Sequence, residues 1–250
     1  MTTATDGVIA VTGASRGIGS RIALELARRG FRVGCLSRQG KGPEDVPVAS
    51  DLAPRLVSHA CDVTDEAAVR RALAACAAEP GGLRGLVNNA GIYFKAASRT
   101  MSSVELEGVL RTNAVAVFAV SREAYPHLAA RGGGMIVNIG SLFDKQGVSR
   151  HLAYCAAKAA VGAMTRCLAV EWAAKGIIVV NVAPGYVETD FNRDFLARPE
   201  IREWMTQRNP LARPGTADEV ARLVGALFAE QIPYLTGETI YVDGAQGVAH

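Results

Sequence analysis

Apolar positions along this chain come in two rhythms. Val8-Ile9-Ala10-Val11 is an unbroken apolar run, short and rich in β-branched residues, and predicts a buried strand. Ile18, Ile22 and Leu26 then repeat at helical spacing up to Arg29, and Gly30 ends the pattern, which predicts a helix over 18–29. The same alternation recurs to the end of the chain. Further strands are predicted over Phe31–Leu36, Leu56–Cys61, Leu83–Val87, Met135–Ile139, Ile177–Val182 and Thr239–Val242. Further helices are predicted over Asp65–Ala78, capped by Asp62 or Thr64; over about Ser103–Ala130, with a break near Gly108; over Leu152–Ala174; and over Ala217–Ala229, opened by Thr216. Strands that alternate with helices form βαβ units. The expected fold class is therefore α/β: a Rossmann-type, doubly wound parallel sheet of about seven strands with helices on both faces. Continuously apolar strands fit a sheet covered on both sides. Two stretches depart from the rhythm. Residues 39–54 hold Pro43, Pro47, Pro54, Gly40 and Gly42, which argues against a crossover helix there. Residues 185–215 are aromatic-rich and charged, and read as an excursion outside the sheet.

Composition narrows the picture without changing it. A chain of 250 residues, 49% hydrophobic and 20% charged, suits a globular core rather than a disordered chain. No composition shift marks a second unit, so residues 1–250 read as one domain with a lid at 185–215. No apolar run is long enough to cross a membrane. Twenty-seven basic against 24 acidic residues leave a net charge of +3, too small to argue for nucleic acid. Cys35, Cys61, Cys76, Cys155 and Cys167 are odd in number and widely spaced, with no C-x-x-C or Cys/His cluster for a metal. Residues 1–7 lack a basic-then-apolar leader, and free thiols in a reducing cytoplasm are the simplest expectation.

The 26 glycines are more than usual for this length. Three of them, Gly13, Gly17 and Gly19, fall between the first strand and the first helix, in Thr12-Gly13-Ala14-Ser15-Arg16-Gly17-Ile18-Gly19. Glycines there let backbone approach a phosphate, and a helix N-terminus supplies free N–H groups. The spacing is G-x-x-x-G-x-G, distinct from G-x-G-x-x-G. After the second strand the chain reads Cys35-Leu36-Ser37-Arg38, with no acid to hold a ribose 2′-hydroxyl. Arg16 and Arg38, with Ser15 and Ser37, suit a 2′-phosphate instead, so NADP(H) is favoured over NAD(H). A solvated loop position is the bland alternative for Arg38. Asp62 is a candidate for adenine contact or an ordinary helix cap. Tyr154 and Lys158 stand at i and i+4 on one helix, where an ammonium is expected to lower a phenol's pKa. Ser141 follows the fifth strand, thirteen residues before Tyr154, and reaches the same crevice; Asn113 lies on the preceding long helix.

Taken together, T-G-A-S-R-G-I-G at 12–19, N-N-A-G at 88–91, Asn113, Ser141, Y-C-A-A-K at 154–158, N-V-A-P-G at 181–185 with Thr189, and T-G-E-T-I-Y-V-D-G at 236–244 resemble the short-chain dehydrogenase/reductase family over nearly the whole chain. The resemblance implies roles. Tyr154 is then general acid in reduction or base in oxidation. Lys158 lowers its pKa and holds the nicotinamide ribose, Ser141 orients the substrate oxygen, and Asn113 holds a relay water. Ile18, Val63, Asn88, Ala90 and Gly91 line the cofactor cleft, with Asn89 structural. Pro184, Gly185, Val187 and Thr189 contact the nicotinamide. The expected substrate wall is Leu142, Phe143, Val148, His151, Tyr186, Phe191, Phe195 and Trp204, an apolar set that suits a hydrophobic ketone or acyl chain; ordinary packing is the alternative for each aromatic, and a surface position for His151. The chain looks most similar to 3-oxoacyl-[acyl-carrier-protein] reductases. Arg131 and Lys175 fall near the places where those enzymes dock an acidic carrier, but Gly132-Gly133-Gly134 shifts the register and favours plain solvated cations. The implied activity is NADPH-dependent reduction of a ketone or 3-oxoacyl thioester by a cytoplasmic homotetramer or dimer. The alternatives are an NAD(P)⁺-dependent alcohol dehydrogenase and, less favoured, a non-catalytic dinucleotide sensor.

Overall fold

The computed structural model describes residues 6–189 and 192–249. Seven parallel strands form one sheet: β1 (Val8–Thr12), β2 (Arg32–Ser37), β3 (Leu56–Ala60), β4 (Leu83–Asn88), β5 (Gly134–Ile139), β6 (Ile177–Pro184) and β9 (Thr239–Val242), in the order β3-β2-β1-β4-β5-β6-β9. A separate two-stranded sheet pairs β7 (Val187–Glu188) with β8 (Gly215–Thr216). The helices are α1 (Gly17–Arg28), α2 (Glu66–Ala78), α3 (Ser103–Leu110), α4 (Ala116–Ala130), α5 (Leu152–Trp172), α6 (Arg193–Leu196), α7 (Pro199–Arg208) and α8 (Ala217–Glu230).

The strands are apolar throughout because successive side chains enter different cores. Ile9, Val11, Val33, Val137 and Val180 join Ile22 and Leu26 of α1 and Val220, Val224 and Phe228 of α8. Val8, Ala10, Leu86, Ile136 and Val179 join Val69 and Leu73 of α2, Val120, Ala124 and Leu128 of α4, and Leu168 and Trp172 of α5. Period-two alternation thus feeds both faces of a doubly wound sheet, as expected. From β1 the chain winds outward through β2 and β3, then returns past β1 to β4, β5 and β6. The reversal between β1 and β4 opens a crevice at the carboxyl ends of the strands.

Several local expectations need correction. Helix α2 is capped by Asp65, whose carboxylate accepts from Ala67 N at 2.9 Å and Ala68 N at 3.2 Å. Asp62 instead closes the turn before it, accepting from Thr64 N at 2.9 Å and Thr64 Oγ1 at 2.7 Å. The long helix does not break at Gly108, which lies inside α3 beside open space. It widens into a π-turn over Arg111–Val115, centred on Asn113. The segment 39–54 has no helix beyond a single 3₁₀ turn at Ala53–Arg55. It lies back over the start of α1, where Glu44 N donates to Ser15 O at 2.8 Å, while Val46, Val48 and Leu52 pack on the core. Residues 187–189 and 192–216 leave the main sheet and carry the β7–β8 pair, α6 and α7. Two of the three glycines at 132–134 have a packing reason, since a Cβ on Gly134 would lie 2.5 Å from Arg84 O, while Gly132 faces open space at φ +89°. Gly133 has φ +135°, and a Cβ there would lie 2.5 Å from Gly176 O.

Candidate active site

A cavity of about 560 Å³ opens at the carboxyl ends of β4, β5 and β6. Its lining comes from the segments that follow those strands, from Ile18 at the start of α1, and from Tyr154 and Lys158 on α5. One helical turn separates Tyr154 and Lys158, so both face this crevice. Lys158 is buried, its Nζ donates to Ile139 O at 2.7 Å, and it stands 5.6 Å from the Tyr154 ring centroid. Ser141 Oγ accepts from Phe143 N at 3.2 Å, which leaves its proton for another partner, and Ser141 is near enough to the Tyr154 hydroxyl to favour the phenolate. Burial pushes the Tyr154 phenol up to about 12, against the smaller opposing effect of Ser141. Burial also lowers the Lys158 ammonium to about 8. The expected lowering of the phenol by lysine is thus reversed in the protein alone. Burial is the largest influence on the phenol, and Lys158 Nζ donates to the main-chain carbonyl of Ile139.

Asn113 is fully buried in the π-turn. Its Oδ1 accepts from Ile92 N and its Nδ2 donates to Ile92 O, both at 2.8 Å, so the side chain clamps the loop after β4. Asn88 lines a second, smaller pocket together with Thr12, Val63 and Ala90, while Asn89 both lines the main cavity and ties down the glycine loop. Asn88 is buried and donates to Ser121 Oγ and Asn138 Oδ1, each at 2.9 Å; Asn138 Nδ2 in turn donates to Thr165 Oγ1 at 2.9 Å. This polar ladder joins α4, β4, β5 and α5 behind the cavity. Asn89 lines the cavity and donates to Thr12 O at 3.0 Å and Gly13 O at 3.2 Å.

The remaining substrate candidates separate into layers. Phe143 and Tyr186 line the cavity. Leu142 is completely buried beneath it, because it lies in the first turn after Ser141. His151 is also buried and stands outside the lining, behind Tyr93. Trp204 backs Tyr186 with ring centroids 5.2 Å apart, and Val148 is outside the lining. Phe191 and the side chain of Phe195 lie outside the described residues. Ile92, Tyr93 and Lys95 line the cavity without having been singled out in the sequence. Their one signal was position, directly beyond a strand end at the sheet's reversal.

The dinucleotide candidates form a continuous track. A Cβ on Gly19 would lie 2.2 Å from Gly13 O, so only glycine lets α1 pack this closely on the loop. Ile18, Pro184, Gly185, Val187 and Thr189 line the cavity, with Thr189 facing Gly17. Ala90 is half-buried, and Gly91 is exposed on the cavity wall. Val63 is half-buried, Asp62 is exposed, and its own turn with Thr64, then the nearby Arg38, hold its carboxyl below the usual range. Arg16 and Arg38 are exposed. The Ser37 hydroxyl donates to Lys41 O at 2.7 Å and accepts from Lys41 N at 2.8 Å, so it is engaged in a local turn. Ser15 is half-buried. One acidic residue reaches this region from the unhelical segment: Asp45 Oδ2 accepts from Gly17 N at 2.7 Å. The glycine cradle, the N-terminus of α1 and the exposed guanidinium groups fit a phosphate-bearing dinucleotide.

A family model described as enoyl-(acyl carrier protein) reductase matches residues 13–246. The 3-oxoacyl-[acyl-carrier-protein] reductase MabA of Mycobacterium tuberculosis is 34% identical over 97% of this chain and 93% of its own length. The 3-oxoacyl-[acyl-carrier-protein] reductase FabG of Staphylococcus aureus is 36% identical over 94% of this chain and 95% of its own. Among solved structures, a protein of Agrobacterium tumefaciens assigned as a 2-deoxy-D-gluconate 3-dehydrogenase, with NADP bound, superimposes with a TM-score of 0.86 at 33% identity over 96% of each chain. On these matches and the constellation of Ser141, Tyr154 and Lys158, the chain belongs to the short-chain dehydrogenase/reductase family of oxidoreductases.

Proposed function

We propose that this enzyme reduces a ketone to a secondary alcohol with NADPH, with Tyr154 as the general acid. The observation that carries the reading is the convergence of Ser141, Tyr154 and Lys158 on one cavity wall, with Lys158 Nζ held by Ile139 O. When bound, the nicotinamide cofactor supplies the hydride. The protein's part is positioning and proton transfer. Ser141 has a proton to give and orients the carbonyl oxygen. Tyr154 donates its proton to that oxygen as the alcohol forms. Raised by burial, the Tyr154 phenol is protonated at neutral pH and so has a proton to donate. Lys158 holds its charge beside Tyr154 and stabilises the phenolate left behind. Asn113 fixes the loop that carries Ile92 and Tyr93, which leaves its main-chain carbonyl as the place for a relay water.

For the cofactor, Arg38 and Arg16 at the end of the track favour the 2′-phosphate, and a related structure holds NADP. For the substrate, Ile92, Phe143, Tyr186 and Leu196 give the cavity an apolar wall that suits a carbon chain. Residues 193–216 serve as its lid. A 3-oxoacyl thioester agrees with the relatives' names. Carrier docking at Arg131 has little support, since its guanidinium bonds the main-chain carbonyls of Gly81 and Asp6; Lys175 is exposed. Exposed Val115, Phe118 and Val170 on the π-turn, α4 and α5 support a homo-oligomer, dimer or tetramer. Five unpaired cysteines suit the cytoplasm. A second reading, oxidation of a polyol or hydroxy acid, draws on the gluconate-type relative and on Tyr93 and Lys95 at the cavity.

The test is a panel of acyl thioesters, diketones, quinones, steroids and sugar acids with purified protein, in both directions and with both cofactors. NADPH-dependent carbonyl reduction is the expected result. Turnover only of alcohols with oxidised cofactor overturns the proposed direction, and no turnover of any kind revives the sensor.

A further inference from the structure

The cavity has an aromatic wall for which proton transfer and hydride transfer have no use. Phe143 meets His151, Tyr154 and Tyr186 edge-on at 5.4, 5.9 and 5.8 Å between ring centroids. Tyr93 meets His151 at 5.3 Å and Tyr154 at 5.6 Å. Tyr93 lines the cavity, and His151 is buried behind it. Two hydrogen bonds define the imidazole. Its Nδ1 lies 2.7 Å from Ser149 O, and its Nε2 meets the Tyr93 hydroxyl. A carbonyl oxygen only accepts, so Nδ1 carries the proton of the neutral ring. Nε2 is then a bare acceptor, and the Tyr93 hydroxyl donates to it. The two loops are also tied through main chain, where Ala96 N donates to Arg150 O at 3.0 Å. Arg150, which sets the angle at which His151 enters, sits at φ +68°, a left-handed conformation costly for arginine.

We propose that Tyr93 reads a hydroxyl group on the substrate close to the reacting carbonyl. With its proton committed to His151, Tyr93 offers the ligand only lone pairs. A substrate O–H complements them, whereas a second carbonyl oxygen at the same place meets lone pair with lone pair. The substrate class that follows is a hydroxyketone, preferred over its deoxy and oxo analogues. Tyr93 is the specificity-determining residue, and His151 is a positioning residue that acts through it. This inference rests on the carbonyl-reduction reading and narrows it.

The test compares kcat/KM for 3-hydroxy-2-butanone, 2-butanone and 2,3-butanedione in the whole enzyme and three variants. Intrinsic reactivity differences cancel when the ratios are compared between proteins. Tyr93→Phe is expected to lower the hydroxyketone-to-butanone ratio about tenfold, mainly through KM, the size expected of one neutral hydrogen bond. His151→Leu frees the Tyr93 proton and is expected to lower the hydroxyketone-to-dione ratio by about the same factor. His151→Gln keeps an acceptor for Tyr93 and is expected to hold that ratio near the parent value. A Tyr93→Phe ratio indistinguishable from the parent overturns the proposal. So do equal shifts in His151→Leu and His151→Gln, which would mark packing alone, and so does turnover of plain ketones without turnover of the hydroxyketone. Should Tyr93→Phe not fold, the two His151 variants decide. If the parent reduces no carbonyl of the wider panel, the reduction reading itself has failed and takes this inference with it.

Discussion

The two halves of the sheet prepare for ligands in opposite ways. On the side of β4, β5 and α5, polar side chains are engaged before a ligand arrives. Lys158 is held by Ile139 O, Asn113 by Ile92, and Asn88 and Asn138 by the ladder to Ser121 and Thr165. On the side of β1, β2 and β3, Arg16 and Arg38 are exposed and form no ion pair among the described residues. The covering segment 39–54 is irregular and anchored at few points. Bond-making chemistry tolerates little misplacement, so its groups are preorganised. Holding an adenosine phosphate needs charge more than geometry, and there ligand binding itself completes the order.

If that contrast is right, the largest effects belong to the prepared side. Tyr154→Phe removes the proton donor without disturbing the ring contacts to Phe143 and Tyr93. It is expected to lower kcat by about a thousandfold while cofactor binding holds, as measured by steady-state kinetics and cofactor fluorescence titration. Retention of most of the activity would mean that the proton comes from elsewhere. On the open side, Arg38→Asp is expected to lose NADPH preference by more than about tenfold, since a charge-assisted pair contributes about 1.5–3 kcal/mol. Parent enzyme that binds NADH as well as NADPH would break the assignment of Arg38 to the 2′-phosphate.

The same contrast explains what was legible in the sequence. Continuous apolar runs and helical periodicity suffice for a doubly wound sheet, and the glycine loop and Tyr154–Lys158 spacing locate the crevice. What escaped depends on choices between neighbours or on distant chain. Asn88 and Asn89 are consecutive at a strand end and both line pockets, and composition cannot say that Asn88 also enters the ladder to Ser121 and Asn138 while Asn89 also holds the glycine loop. Asp62, Thr64 and Asp65 are all capping types, and the turn that Asp62 makes with Thr64 hands the cap to Asp65. Tyr93 carries no motif of its own, and its meaning comes from His151, 58 positions away. Asp45 lies in a stretch legible only as lacking a helix, yet it returns to the phosphate loop.

A smaller effect follows from the buried ammonium. The folded chain holds Lys158 near 8, against 10.5 as the ordinary value, so over that window the unfolded chain keeps a proton that the folded chain has released. Stability therefore rises with pH there, by up to about 1.4 kcal/mol per pH unit from this group. Buried Cys35 and Cys76, both raised to about 12, pull the other way above pH 9. The informative quantity is the difference between the parent and Lys158→Met, in which those thiols cancel. Urea unfolding at pH 8 and pH 9 should show the parent gaining on the variant. A flat difference would mean that Lys158 is solvated, and that the catalytic side is less closed than its hydrogen bonds imply.

The smallest expected effect probes a charged contact on the open side. Gly17 N–H opens α1, where the helix dipole favours an anion, and Asp45 Oδ2 occupies it at 2.7 Å. The other oxygen, Oδ1, is buried and has no hydrogen-bond partner among the described residues, so this carboxylate is poorly compensated for leaving water. A phosphate bound at this helix N-terminus would have to displace Asp45, whose charge would oppose its approach. Asp45→Asn keeps the shape and removes the charge. The dissociation constants of NADPH and NADH are both expected to fall by about threefold at low salt, with less change at high salt, where screening already weakens the repulsion. Weaker binding of NADH alone would mean that Asp45 holds a ribose hydroxyl. The open side would then be prepared for the unphosphorylated cofactor, and the contrast between the two halves would disappear together with the role given to Arg38.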